Sequence, residues 1–125
     1  MIFLDASVII CLVTDEGSQI IDDLEGRNEG LACSEAVRLE LLGFPGFSTA
    51  EKVNVQRFFA ACRMFPIDEV IISRAIGLRQ GQPISTTDAI VAATALQNDS
   101  ELWATSGRDF SRVDGLRWYD PLAHS

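Results

Sequence analysis

The residues best placed for chemistry are four acids: Asp5, Glu40, Asp88 and Asp109. Asp5 follows the apolar run Ile2–Leu4 and precedes an apolar helical stretch. It reads either as a metal ligand at the carboxyl end of a strand or as a helix cap. Glu40 is flanked by Leu39 and Leu41, although helix surfaces usually cluster their charges. An exposed Glu paired with Arg38 near a helix end is the other reading. Asp88 opens the stretch Asp88-Ala89-Ile90-Val91-Ala92-Ala93-Thr94-Ala95. The helix dipole favours a carboxylate there, but this helix is apolar nearly all round and must be central. A carboxylate at its mouth faces a cleft and needs a partner. Asp109, in residues 105–110, is a fourth acid or a turn residue anchored by Phe110.

Carboxylates gathered in one cleft repel each other and raise each other's pKa, and a divalent cation relieves that. Oxygen-only ligands select Mg²⁺ or Mn²⁺ over zinc. Such a site suits hydrolysis of a phosphodiester, where the metal polarises the phosphoryl oxygen and helps deprotonate a water. No histidine is required, and the single one, His124, stands next to the last residue. Nucleophile elbow, Walker A loop and G-x-G-x-x-G are all missing from the sequence.

Positioning these acids requires an alternating pattern of elements. Short apolar strands are expected at 2–4, 31–33, 64–67 and 102–105, with a last edge strand at 116–119. Helices are expected at 8–13 capped by Ser7, 18–25, 35–42 capped by Ser34, and 49–63 capped by Ser48 or Thr49. Two more follow, to about Gln80 after an Asp68 cap, with Val70, Ile71, Ala75 and Leu78 inward, and 88–98 capped by Thr86 or Thr87. Alternation of strand and helix predicts an α/β fold, a three-layer sandwich around a mainly parallel central sheet. Sites in such sheets form at the carboxyl ends of strands, which points to Asp5, residues 34–40 and the stretch after Thr105.

The chain of 125 residues, 47% hydrophobic, suits one domain spanning 1–125 with a sizeable core. The formal net charge of −8 argues against non-specific coating of DNA, but not against a nuclease whose ions neutralise its own acidic cleft. Nine of the ten basic residues are Arg, which suits planar recognition of phosphate or simply reflects genome composition. Cys11, Cys33 and Cys62 lie in apolar stretches without a C-x-x-C pair, so they read as buried thiols of a cytoplasmic protein. The apolar N-terminus lacks a positive n-region and is interrupted by Asp5, so it reads neither as a signal peptide nor as a membrane span.

The sequence resembles the PIN-domain ribonucleases, in particular the VapC toxins of toxin–antitoxin pairs. Phe3-Leu4-Asp5-Ala6-Ser7-Val8 is similar to the family's opening strand, and Leu39-Glu40-Leu41-Leu42-Gly43 to its Glu-Leu-x-x-Gly-like helix. The Asp88 stretch is similar to the family's most specific motif, Asp-Ala-x-Ile/Val-Ala-Ala-x-Ala. Trp103-Ala104-Thr105, Asp109-Phe110 and Val113-x-Gly115-Leu116 resemble its C-terminal signature. The resemblance implies that Asp5 and Asp88 bind Mg²⁺ or Mn²⁺, that Glu40 completes the acidic pocket, and that Ser7 and Thr105 support it. It also implies a homodimer, a small antitoxin partner whose tail occupies the cleft, and a structured RNA substrate such as tRNA or ribosomal RNA. The chain departs from the family at Gly107, where an acid or Asn is usual, and Asp109 is the nearby candidate to replace it. Two rivals remain. A PIN-like domain that only binds RNA or protein is compatible with Gly107. A HAD-like phosphatase also opens with Asp after an apolar strand, but needs a second Asp where Ser7 stands.

Overall fold

The computed structural model describes residues 1–14, 17–105 and 109–123. The elements run β1 (Ile2–Leu4), α1 (Ala6–Val13), α2 (Ser18–Arg27), β2 (Leu31–Ser34), α3 (Glu35–Leu42), α4 (Thr49–Ala60) and β3 (Arg63–Phe65). They continue with α5 (Glu69–Gly81), α6 (Thr86–Gln97), β4 (Glu101–Trp103), a 3₁₀ turn (Phe110–Arg112) and β5 (Trp118–Tyr119). The sheet order is β3-β2-β1-β4-β5, and every pair is parallel. Strand order runs one way from β1 to β3 and the other way from β4 to β5. Right-handed crossovers then place helices on both faces, giving the three-layer α/β sandwich expected from the alternation.

The core fills in from the middle strand. Ile2, Phe3, Leu4, Leu102 and Trp103 are buried, as short strands covered on both faces must be. On α6, Ala89, Val91, Ala92, Ala93, Thr94 and Ala95 are buried. The small side chains let this helix pack against α5, β2 and β4 at once. Thr94 satisfies its hydroxyl by donating to the Ile90 carbonyl at 2.7 Å, so burying it leaves no unpaired group.

Several boundaries differ from the sequence expectation. Asp5, not Ser7, caps α1: its backbone is extended and its carboxylate accepts the Ser7 N–H. The helix thus starts two residues early, because Ala6 and Ser7 both take helical angles. Ser85, not Thr86 or Thr87, caps α6 and accepts the Asp88 N–H at 3.1 Å. Helix α4 stops at Ala60 instead of 63, releasing Arg63 into β3. Val70 is 54% exposed rather than inward. Ile71 and Ala75, four apart, own the inward face of α5, and a step of one residue turns Val70 away from it. Cys62 is half-buried, whereas Cys11 and Cys33 are buried. His124 and Gly107 lie outside the described residues. Among the described residues, no helix is long and apolar enough to cross a membrane.

Candidate active site

The reversal of strand order falls between β1 and β4. Crevices open beyond the carboxyl ends of strands at such a point, because the following chains diverge. Asp5 leaves β1 on one side of this crevice and Thr105 follows β4 on the other. Two hydrogen bonds clasp them together. Asp5 N–H donates to the Trp103 carbonyl at 3.0 Å, and Thr105 N–H donates to Ser7 Oγ at 3.1 Å. The Ser7 hydroxyl in turn donates to Asp5 Oδ2 at 2.7 Å. That oxygen also accepts the Ser7 N–H at 3.2 Å. Ser7 and Thr105 are thus joined to the buried Asp5 carboxylate by one chain of hydrogen bonds.

Glu40 and Asp88 arrive from the contact between α3 and α6. Glu40 is an exposed residue near the end of α3, yet partial desolvation of its carboxyl pushes the pKa up, and the negative charges of Asp5 and Asp88 add to that. Burial likewise raises Asp88, with the Asp5 and Asp109 charges acting the same way and a Ser85 hydrogen bond acting against them. Asp5, Glu40, Asp88 and Asp109 thus share one electrostatic neighbourhood, although they are spread over 105 positions of sequence (5 to 109). Among the described residues, none of the four has a cationic ion-pair partner. Arg38, the expected partner of Glu40, instead binds Glu35 at 2.5 Å. Asp109 begins the 3₁₀ turn without capping it through its side chain, while Phe110 is buried as the anchor.

The donor set is all carboxylate oxygen, which fits a hard divalent cation. Among the described residues, no three acids are drawn together as a ready-made cage. Uncompensated like charges oppose such closure. Two features were not read from the sequence. Ser85 stands three residues before Asp88, and the spacing Ser85-Thr86-Thr87-Asp88 carries the capping signal that identifies it. Glu40 also lines a hollow of about 220 Å³ with Ala6, Ile10, Leu41 and Phe44. No local pattern announces it, because its walls come from α1 and the end of α3.

The model of the PIN domain family matches residues 2–116. The chain belongs to the PIN-domain family. Solved structures with this PIN fold include VapBC-1 from nontypeable Haemophilus influenzae. It is 23% identical, with a TM-score of 0.81 over 98% of this chain and 99% of that one. A toxin–antitoxin complex from Klebsiella pneumoniae is 21% identical, with a TM-score of 0.81 over 97% and 98% of the two chains. VapC20 of Mycobacterium tuberculosis, a sarcin–ricin loop cleaving toxin, is 16% identical, with a TM-score of 0.69 over 94% and 99%. No curated protein matches the chain. At these identities the likeness concerns the fold, and the PIN site must be argued from its own residues.

Proposed function

We propose that this PIN domain is a metal-dependent endoribonuclease acting on structured RNA as the toxin of a toxin–antitoxin pair. The observation that carries the reading is the mutual electrostatic influence of Asp5, Glu40, Asp88 and Asp109, which raises the pKa values of Glu40 and Asp88. Asp5 and Asp88 would hold Mg²⁺ or Mn²⁺, Glu40 would complete the pocket, and Asp109 would contribute more weakly, at the place of the acid replaced by Gly107. The bound ion supplies Lewis-acid activation of the phosphoryl oxygen and a water of lowered pKa. The chain's own residues do the positioning. Ser7 fixes the Asp5 carboxylate with its hydroxyl and ties it to the end of β4. Ser85 holds Asp88 at the start of α6.

Similarity to a toxin–antitoxin complex supports an antitoxin partner; the small size of that partner, a homodimer and a cytoplasmic setting belong to the same proposal and rest on the family resemblance alone. Phe44, 49% exposed and in edge contact with Phe47 at 5.0 Å, is a contact residue for such a partner. The deciding experiment is a cleavage assay on mixed structured RNAs. Cleavage with Mg²⁺ or Mn²⁺ and none in EDTA is expected, with Ca²⁺ a poor substitute because its looser geometry positions water less well. Undiminished hydrolysis in EDTA by purified protein overturns the reading. RNA binding without cleavage in any divalent ion would leave only a binding domain.

A further inference from the structure

The 3₁₀ turn after Asp109 presents two faces. Phe110 and Val113 are buried, and the Val113 N–H donates to the Phe110 carbonyl at 3.1 Å. Asp109 already has helical angles (φ −72°, ψ −33°). Side chains three apart eclipse in such a turn, so Asp109 and Arg112 share the other face. Arg112 therefore stands one turn beyond an acid whose charge reaches Asp88. It lines a hollow of about 270 Å³ with Gly77, Leu78, Gly81, Gln82 and Asp114. The opposite wall of this hollow leads to Asp88. Gln82 follows α5, and Arg79 Nε of that helix donates to the Ile84 carbonyl at 3.2 Å, pinning the connection. The next residue is Ser85, the cap that accepts the Asp88 N–H. One wall thus runs back to Asp109 and the other runs on to Asp88.

Among the described residues, Arg112 is in no ion pair, whereas Arg27, Arg38 and Arg117 are. Asp114 shares the hollow without pairing with it. A Cβ added at Gly77 or Gly81 would meet nothing within 4 Å, so bare backbone borders open space there. We infer that this hollow is a subsite for one nucleotide flanking the scissile phosphodiester of an RNA strand, with Arg112 as the ligand of its phosphate. A guanidinium offers parallel N–H donors that match phosphate oxygens. The need for such a ligand follows from charge. Four acids repel a polyanion, and a net charge of −8 gives no general attraction to offset that. A strand held over the acids requires a cation near them, and Arg112 is on the turn that carries Asp109. Asp114 repels the phosphate itself but suits the sugar, whose 2′-hydroxyl it can accept, with the Gln82 amide as a further donor. The glycine wall lets the ribose approach the backbone closely. The assignment rests on the reading of RNA as the substrate.

Anisotropy of a labelled RNA hairpin mixed with the full chain in Ca²⁺ reads the subsite without turnover, and cleavage kinetics in Mg²⁺ run beside it. Arg112→Ala is expected to weaken binding roughly tenfold. It should also reduce the slope of log affinity against log salt concentration by about one, since one phosphate contact is lost. In cleavage the loss should appear in KM rather than kcat. Arg112→Lys should recover most of the slope but only part of the affinity, because a point charge lacks the paired donors. Gly77→Met, which fills the hollow from an exposed helical position, should weaken binding with Arg112 intact. Circular dichroism checks that each variant is folded. Unchanged affinity and salt slope in Arg112→Ala, with RNA still cleaved, would overturn the subsite, leave the cleavage reading standing and assign the arginine to a protein partner. A chain that binds RNA and cleaves none, yet loses affinity and slope in Arg112→Ala, would do the reverse. Absence of RNA binding by the unaltered chain would overturn both.

Discussion

The two ends of the parallel sheet handle the same residue types in opposite ways. At the end where strands begin, acids are paired. Glu29 meets the N-terminal ammonium at 2.8 Å, Glu101 meets Arg27 at 3.1 Å, and Asp99 meets Arg117 at 3.6 Å. Arg27 also lies over the rings of Trp103 and Tyr119, and Tyr119 donates to Asp23 at 2.6 Å. At the end where strands finish, Asp5, Glu40 and Asp88 press their charges on one another without such partners among the described residues. One end spends its acids on holding α2 to β4 and β5. The other keeps them uncompensated, which costs stability and is explicable if a cation is the missing partner.

The sharpest way to break this contrast is to neutralise one acid of the unpaired end. Asp5→Asn is expected to lower RNA cleavage by roughly a hundredfold or more, as for a group needed in the transition state. Asn still caps a helix, so thermal melting should show equal or slightly higher stability. A variant that cleaves normally removes Asp5 from the site. Ser7→Ala should cost about tenfold in cleavage, because the Asp5 carboxylate loses its 2.7 Å donor and its tether to Thr105. Steady-state rates should show the loss mainly in kcat. An effect confined to KM would reassign Ser7 to substrate binding.

The paired end should respond in the other currency. Arg27→Ala is expected to destabilise the fold by about 1–2 kcal/mol, through two ion pairs and two ring contacts, while cleavage by the folded protein is unchanged. Urea denaturation measures it, and loss of activity in folded protein would contradict the division between the two ends.

Acidity gives a finer test, because the ends titrate with opposite sign. Glu29 is held below its ordinary value, by the hydrogen bond to the N-terminal ammonium first. Its contribution is present above pH 4.5 and is lost as pH falls through the lowered value. Glu40 and Asp88 are raised from 4.5 and 3.8, so their charged forms are unfavourable in the fold. That penalty is complete above the raised values and is relieved as pH falls through them towards 4.5 and 3.8. Melting in EDTA should therefore show Asp88→Asn stabilising at neutral pH and nearly neutral below pH 4, roughly where the carboxyls are already protonated. Saturating Mg²⁺ should reverse the sign at neutral pH. The smallest effect is expected for Asp109→Asn, a few-fold loss of Mn²⁺ affinity at most by calorimetry, since a hard cation is satisfied by one or two carboxylates and water. Two tight, equivalent Mn²⁺ sites per chain would show that a fuller ligand set operates.

Legibility in the sequence followed the range of the interaction. Helices α3 and α5 were readable because Ser34 and Asp68 announce their starts, and Gly43 and Gly81 lie at their ends. The caps of α1 and α6 were misplaced by two residues or fewer, since Asp5, Ser7, Ser85 and Thr86 all bear side-chain acceptors suited to the role. The four acids stood out as candidates only when taken together, since the local setting of Glu40 favours an exposed helix-end acid and that of Asp109 a turn residue. Their common neighbourhood depends on a strand order in which β4 joins β1 between residues 99 positions apart, from Ile2↔Glu101 to Leu4↔Trp103, where only the family resemblance reached ahead of the structure.

The outer strands are short, three residues in β3 and two in β5. Each is bordered by a cation, Arg63 on β3 and Arg117 just ahead of β5. A strand from another molecule would find almost no free hydrogen-bonding length at either margin, and would meet positive charge there. The consequence is colloidal. Concentrated protein should resist the edge-to-edge stacking that leads to fibrils, leaving helix faces as the routes to self-association.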